Sequence, residues 1–157
     1  MPRISEIQLV KRAEQPALSI RKRARVEELP QLIGGSYGKL AQYVESVGVM
    51  LSDVPFTAYQ GEDMKNLDVE IGFPMPERVD GSGEISSATI PGGLFIFCMY
   101  QGAYSGTCTA YEEMIRFAAE NGLVIDGAYY EHYYNGPEYP EEQLLTRLVL
   151  PVKKVSG

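Results

Sequence analysis

The stretch SYGKLAQYVESVGVMLSDVPFTAYQG (residues 36–61) decides the fold, because a second version of it, AYEEMIRFAAENGLVIDGAYYEHYYN, stands at residues 110–135. The two versions share few identical residues but keep the same order of apolar positions and glycines. With a constant offset of 74 residues, the matched pairs include Tyr37 with Tyr111, Gly48 with Gly122, Phe56 with Tyr130 and Tyr59 with Tyr133. A repeat of this length predicts a duplicated structural unit.

Each copy carries the pattern of one amphipathic helix. Apolar residues recur at steps of three and four at Tyr37, Leu40, Ala41, Val44 and Val47 in the first copy, and at Tyr111, Met114, Ile115 and Ala118 in the second. Gly48 and Gly122 stand where a left-handed residue ends a helix, a conformation that glycine adopts cheaply. Thr109 and Glu112 have the spacing of a capping box, which predicts the start of the second helix there.

Alternating apolar residues predict one strand before each helix and two strands after it. The opening strand covers Ile7, Leu9 and Ala17 to Ile20 in the first copy, and Leu94 to Tyr100 in the second. The later strands are predicted at 55–60 and 67–74 in the first copy, and at 128–134 and 144–152 in the second.

The predicted fold class is therefore α+β. It is a duplicated β-α-β-β unit, with two lobes related by a pseudo-twofold axis, an antiparallel sheet and a cleft between the lobes, since a lone unit would leave a sheet edge open. We expect a single domain over residues 1–157, with repeat 1 at 5–76 and repeat 2 at 83–153. The polar stretch MPERVDGSGE (75–84) is the expected linker.

Composition narrows the classes of function. The net charge of −7 repels phosphate backbones, so we expect no direct nucleic-acid partner. The run RKRAR (Arg21 to Arg25) goes against this charge, either as a solvated strand end or as a docking patch for a protein partner. No apolar run is long enough for a membrane span, and the N-terminal residues have no signal-peptide core.

The two cysteines stand ten residues apart, at Cys98 and Cys108, and form neither a zinc motif nor a disulfide framework. Cysteines without a disulfide framework are typical of proteins in a reducing compartment, so we expect a cytoplasmic protein. We also expect no cofactor and no metal. Cys98 lies in an apolar strand and is predicted to be an inert core thiol. The oligomeric state is left open.

The stretch GAYYEHYYNG (127–136) surrounds the acid Glu131 with tyrosines. Strand alternation puts Glu131 and Tyr133 on one face, and the matching residues of the first copy are Thr57 and Tyr59. The other face carries Phe56 and Ala58 in the first copy, so we expect that face under the helix. Two interpretations remain open for the acidic face: a box for a cation or amine, or a half-exposed tyrosine-rich strand with a solvated Glu131.

The order of these motifs resembles the gyrase-inhibitor-like small-molecule-binding superfamily. The resemblance rests on the β-α-β-β duplication, on DVEIGFP (68–74) and YQGAYSG (100–106), and on the final YEHYYNGPEYPEEQLLTRLVLPV (130–152). It covers residues 5 to 153. This superfamily includes the effector-binding domain of multidrug-responsive transcription regulators of the MerR and AraC types, and it also occurs in stand-alone bacterial proteins.

The resemblance implies a ligand cavity between the lobes, lined by aromatic rings. Its acidic position, which meets a lipophilic cation in drug-sensing members, falls on Glu131, and the glutamate of DVEIGFP is Glu70. Arg147 stands where many members have an acid, which opens the possibility of an internal Glu70–Arg147 pair. Tyr100 is a candidate for the cavity wall or for the core. Too few residues flank the repeats for a helix-turn-helix, so we expect no DNA-reading module.

We therefore predict a protein that binds a lipophilic cationic or aromatic small molecule. The candidate ligand-binding residues are Glu131, Tyr133, Tyr59, Thr57, Glu70, Tyr100 and Arg147. No catalytic motif is present, but hydrolysis of a reactive small molecule by Glu131 remains an alternative, as does protein-binding inhibition through Arg21 to Arg25. His132 and Tyr104 are interpreted as packing residues, so no catalytic residue is assigned.

Overall fold

The computed structural model describes residues 3–61, 63–136 and 138–155. In chain order its elements are β1 (Gln8–Arg12), β2 (Gln15–Ala24), α1 (Leu29–Val47), β3 (Phe56–Gln60), β4 (Leu67–Pro74), β5 (Ser86–Ile90), β6 (Gly93–Gln101), α2 (Thr107–Glu120), β7 (Leu123–Ile125), β8 (Tyr129–Tyr133) and β9 (Leu145–Lys154). These elements form two compact units. The first unit is Ala13–Pro91, and the second joins the residues up to Arg12 with those from Gly92 onward.

The first unit is an antiparallel sheet in the order β3-β4-β2-β5, with α1 packed on one face. The helix buries Leu40 and Val44 against Ile20 and Ile71 of the sheet, and the linker residue Met75 joins the same core. The burial of these apolar side chains is the main favourable term that holds the helix to the sheet.

The second unit repeats this arrangement. Its antiparallel sheet has the order β1-β6-β9-β8, β7 pairs with the end of β9, and α2 packs on one face. The helix buries Ala110 and Met114 against Ile96, Leu148 and Leu150. Both units contain the predicted β-α-β-β succession, which confirms the α+β duplication, and the last strand of each succession lies inside its sheet. The short strand β7 after the second helix was not predicted.

The opening of each copy differs from the prediction, because two strands stand where one was expected. In the first copy, β1 and β2 are separated at Ala13 and Glu14, and β1 pairs with β6 of the second unit. In the second copy, β5 and β6 are separated at Pro91 and Gly92, and β5 pairs with β2 of the first unit. The compact units therefore do not coincide with the repeats at 5–76 and 83–153.

The predicted C-terminal ends of both helices are confirmed, but the predicted start of the second helix is wrong. Gly48 and Gly122 adopt φ angles of 73° and 69°, the left-handed conformation that was predicted. The second helix does not begin at a capping box on Thr109. It begins at Thr107, directly after a 3-10 turn at Tyr104–Gly106, and Thr107 Oγ1 donates a hydrogen bond to the Tyr104 carbonyl at 2.9 Å.

Arg21, Lys22 and Arg23 of the basic run lie near the end of strand β2 with exposed side chains, and Arg25 is exposed just after it, whereas Ala24 is buried. Arg21 Nε donates to Asp68 at 2.9 Å, and Lys22 forms an ion pair with Glu84 at 3.0 Å. Exposed pairs of this kind add little stability, but they offset the positive charge of the run. The run therefore fits a solvated strand end. Among the residues described, no helix has the length and apolar character that crossing a membrane requires.

Candidate functional site

Glu131 lies in the middle of β8 with its side chain toward α2. It stands directly opposite Leu148, which in turn stands opposite Cys98, and opposed residues share one face of a sheet. Leu148 and Cys98 belong to the core beneath α2. The exposed fraction of Glu131 is 8%, so an acidic side chain is buried on a largely apolar face.

Two tyrosine hydroxyls hold the Glu131 carboxylate. Tyr111, from α2, donates to Oε2 at 2.6 Å, and Tyr133, two residues along β8, donates to Oε1 at 2.9 Å. Burial raises the pKa of Glu131, and the two hydroxyl donors oppose part of this rise. The carboxylate is thus fixed in orientation by neutral groups, and the desolvation of its charge is only partly compensated.

Two further tyrosine rings pack against the two that bind this carboxyl group, and we call Glu131 with Tyr104, Tyr111, Tyr129 and Tyr133 the aromatic cradle. Tyr104 packs edge-on against Tyr133 with ring centroids 5.5 Å apart, and Tyr129 packs against Tyr111 at 5.4 Å. Tyr104 is 45% exposed, whereas the other three rings are half-buried. Aromatic faces around a desolvated negative charge form a site that attracts a lipophilic cation.

The predicted orientation of this strand was wrong. The expectation placed Phe56 and Ala58 under the helix and Glu131 on the other face. The contacts from Tyr111 to Glu131 and from Tyr37 to Thr57 place Glu131 and Thr57 under the helices instead. The apolar character of Phe56 and Ala58 misled the prediction because both faces of these strands are buried.

The first unit contains a neutral counterpart of the cradle. Tyr37 and Thr57 are linked by a hydrogen bond of 3.1 Å between their hydroxyls, in the positions that Tyr111 and Glu131 occupy in the second unit. Thr57 is fully buried, and Tyr59 packs at the edge of the same core. The Tyr37 ring also packs against Phe73 at 5.7 Å. The duplication therefore kept the tyrosine contact and placed the charge in one unit.

Glu70 and Arg147 lie on the sheet faces that point away from the helices. Glu70 stands opposite Ala58 and accepts a hydrogen bond from Ser19 at 2.7 Å. Arg147 Nη1 donates to the Tyr134 hydroxyl at 3.0 Å. Within its own unit, each of the two charged residues is therefore separated by the sheet from the candidate residues on the helix side. The Glu70–Arg147 pair would join residues of different units and stays a prediction.

Tyr100, a predicted ligand-binding residue, belongs to the hydrophobic core and not to the aromatic cradle. It is 2% exposed, and its hydroxyl donates to the carbonyl of Ala103 at 2.6 Å. His132 is also buried, on the face opposite Glu131.

Burial raises the pKa of the Cys98 thiol to about 11, as expected of an unreactive core thiol. No group of three or more potential metal ligands is found in the described part of the chain.

Sequence reasoning missed the roles of Tyr104, Tyr111 and Tyr129. Tyr111 was interpreted mainly as a core residue because it follows the apolar period of the second helix, and Tyr104 as a packing residue where that helix segment opens. The signal that could have identified Tyr111 was its match with Tyr37, which places a hydroxyl-bearing ring at the same helical position in both copies.

Comparisons with known proteins agree with this fold. A family model described as a GyrI-like small molecule binding domain matches residues 5–153. No curated protein sequence matches the chain. Among solved structures, the C-terminal domain of EcmrR is 22% identical with a TM-score of 0.82, over 97% of this chain and 99% of that one.

Three further solved structures share the fold. EcmrR in its complex with DNA is 23% identical with a TM-score of 0.81 over 96% of this chain, which spans 58% of the EcmrR chain there. A hydrolase from Listeria innocua is 14% identical with a TM-score of 0.73, over 98% of this chain and 94% of that one. SAV2435 bound to tetraphenylphosphonium is 17% identical with a TM-score of 0.62, over 95% and 94%.

Proposed function

Since the chain belongs to the family of GyrI-like small-molecule-binding domains, we propose that it binds lipophilic cations at the aromatic cradle, with Glu131 as the counter-charge. One observation carries this proposal: Glu131 is 8% exposed, and within the described residues its carboxyl group has two neutral hydroxyls as hydrogen-bond partners. A cation bound beside the rings compensates the charge of this carboxylate, whose hydrogen-bond partners among the described residues are both neutral.

The energies favour a cation that is itself weakly hydrated. A positive charge about 4 Å from the carboxylate gains roughly 4 kcal/mol at an effective dielectric constant of about 20, before desolvation is subtracted. Each aromatic face adds about 0.5–2 kcal/mol by cation–π attraction. A strongly hydrated ion such as sodium loses more on desolvation than an onium ion with aromatic substituents. The tetraphenylphosphonium bound to SAV2435, a protein of the same fold, is an ion of the favoured kind.

The test is a titration with tetraphenylphosphonium and with triphenylphosphine oxide, a neutral compound with similar rings. We expect Glu131→Gln to weaken binding of the cation by at least about tenfold, or about 1.4 kcal/mol, and to change binding of the neutral compound much less. Glu112→Gln is the matched control, because it removes the same charge from an exposed position of α2.

Two results would count against the proposal. One is equal affinity of the wild-type protein and Glu131→Gln for the cation. The other is an equal loss in Glu112→Gln, which would reduce the effect to the overall charge of the protein. Circular dichroism of both variants establishes that the fold is retained.

A second candidate function is hydrolysis of an electrophilic small molecule. Burial raises the pKa of Glu131, and a carboxyl group of raised pKa with two adjacent hydroxyls suits general acid–base catalysis. Proteins of the same fold from Listeria innocua are described as hydrolases. Turnover of epoxide or activated-ester substrates that is lost in Glu131→Gln would support this candidate, and turnover that persists in Glu131→Gln would refute it.

A further inference from the structure

Tyr104 differs from the other rings of the aromatic cradle in where it is attached. Tyr111 lies on helix α2, and Tyr129 and Tyr133 lie on strand β8, so their backbones are held by regular secondary structure. Tyr104 is carried by the 3-10 turn Tyr104–Gly106 and is the most exposed of the four rings. A movement of this turn therefore leaves the backbone hydrogen bonds of strand β8 and of the body of helix α2 in place.

The position of Tyr104 connects it to the acid. Its ring packs edge-on against Tyr133, whose hydroxyl donates to Glu131. Burial and then the negative charge of Glu131 raise the pKa of the Tyr104 hydroxyl, which places the ring within the field of the carboxylate. Tyr104 thus lies between the exposed surface and one of the two groups that hold the charge.

The turn that carries Tyr104 rests on Tyr100. The buried Tyr100 hydroxyl donates to the Ala103 carbonyl at 2.6 Å, and the same carbonyl accepts the backbone N–H of Gly106 at 3.0 Å. A Cβ atom added at Gly106 would lie 2.5 Å from the Tyr100 hydroxyl oxygen, so the turn packs against this group more closely than any other residue type would permit. The hydroxyl therefore fixes the closed position of the turn.

We propose that Tyr104 is the gate of the cation site and limits the size of the cation that enters, and that Tyr100 is the positioning residue that holds this gate closed. This inference rests on the proposed binding of cations at Glu131. Glu131 is only 8% exposed and lies behind the rings that bind it, so we expect a bulky cation to reach the charge when a ring of the cradle moves. The ring on the turn moves without breaking the backbone hydrogen bonds of strand β8 or of the body of helix α2.

The test is stopped-flow measurement of association rates for a bulky cation, tetraphenylphosphonium, and a small one, tetramethylammonium. Tyr104→Ala is expected to raise the association rate of tetraphenylphosphonium by about tenfold and to leave that of tetramethylammonium within about twofold. Tyr100→Phe keeps the core ring but loses the hydrogen bond to Ala103, so a smaller increase with the same dependence on size is expected. Tyr139→Ala is the matched control, because it removes an equally exposed tyrosine outside the cradle.

The measured association rates and affinities distinguish a failure of the gate from a failure of cation binding at Glu131. If Glu131→Gln loses the cation and Tyr104→Ala leaves the association rate of tetraphenylphosphonium unchanged, the gate alone is overturned. An increase of the same size for both cations, or the same increase in Tyr139→Ala, also overturns it. If Glu131→Gln binds tetraphenylphosphonium as the wild type does, the proposed function fails and the gate fails with it.

Discussion

Replacement of Tyr111 by phenylalanine tests the charge state of the buried acid. The variant keeps the ring and removes one hydroxyl, which donates to Glu131 at 2.6 Å. A hydrogen bond to a charged group contributes about 1.5–3 kcal/mol to the free energy of unfolding, and a neutral one about 0.5–1.5 kcal/mol. The loss in Tyr111→Phe therefore measures whether the acceptor is ionised.

The sign of the pH dependence follows from the raised pKa of Glu131. The folded protein holds this proton more tightly than the unfolded chain, whose carboxyl group titrates near 4.5. Stability from this group is therefore fully present below pH 4.5 and is lost as the pH rises through the folded pKa. The Tyr111 hydroxyl lowers that pKa, so its removal extends the loss of stability to higher pH.

The assay is urea unfolding of the wild type and the variant at intervals between pH 4 and pH 9. We expect Tyr111→Phe to lower the free energy of unfolding by about 0.5–1.5 kcal/mol at the acid end and by about 1.5–3 kcal/mol at the alkaline end. Tyr37→Phe removes the matching hydroxyl of the first unit, whose partner is the neutral Thr57. Its loss is expected to be about 0.5–1.5 kcal/mol at every pH.

The comparison between the two variants shows whether Glu131 is ionised in the free protein. If Tyr111→Phe and Tyr37→Phe lose the same free energy with the same dependence on pH, Glu131 is not an ionised acceptor in the free protein. The electrostatic basis of the cation site would then be refuted. A control titration of the wild type with salt separates this local effect from the general charge of the surface.

Three further predictions concern stability and reactivity. Cys108 is exposed and Cys98 is buried with a pKa of about 11, so thiol reagents should label one cysteine in the native protein and both in urea, as mass spectrometry would show. Gly72→Ala should lower the free energy of unfolding by about 1–3 kcal/mol, because the new Cβ would lie 2.6 Å from the ring of Phe56. Gly38→Ala should raise it by about 0.5–1 kcal/mol, since this position of α1 has open space around it and alanine favours the helix; a loss of stability there would contradict the helix geometry.

The fold was largely predictable because its signals are local. The apolar period of the helices, the glycines that end them and the runs 55–60 and 67–74 all depend on near neighbours in the chain. The exchange of β1 and β5 was not predictable in this way. An edge strand is placed by contacts with residues far away in the sequence, such as that of Gln8 with Phe97. Its alternation of apolar and polar residues is the same whichever unit it joins, so the sequence pattern does not reveal its partner.

The sequence indicated that Glu131 and Tyr133 lie together, but it did not indicate the contacts of Tyr104, Tyr111 and Tyr129. The composition of one strand revealed an acid among aromatic residues, whereas the ring contacts depend on how a helix and a turn pack on that strand. Tyr104 is placed by the Tyr100 hydroxyl and by Gly106, and neither contact leaves a periodic signal. The orientation of β8 was wrong because burial on both faces removes the contrast on which the inference depended.

The strand exchange has a consequence for the order in which the protein folds during translation. The first unit is one continuous segment, Ala13–Pro91, and all of its strands have been synthesised before β6 begins. Strand β1 is synthesised before this unit, yet its partner β6 emerges only after the whole unit. The nascent chain therefore carries β1 as an unpaired strand ahead of the first unit, available to other chains, until Gly93–Gln101 leaves the ribosome.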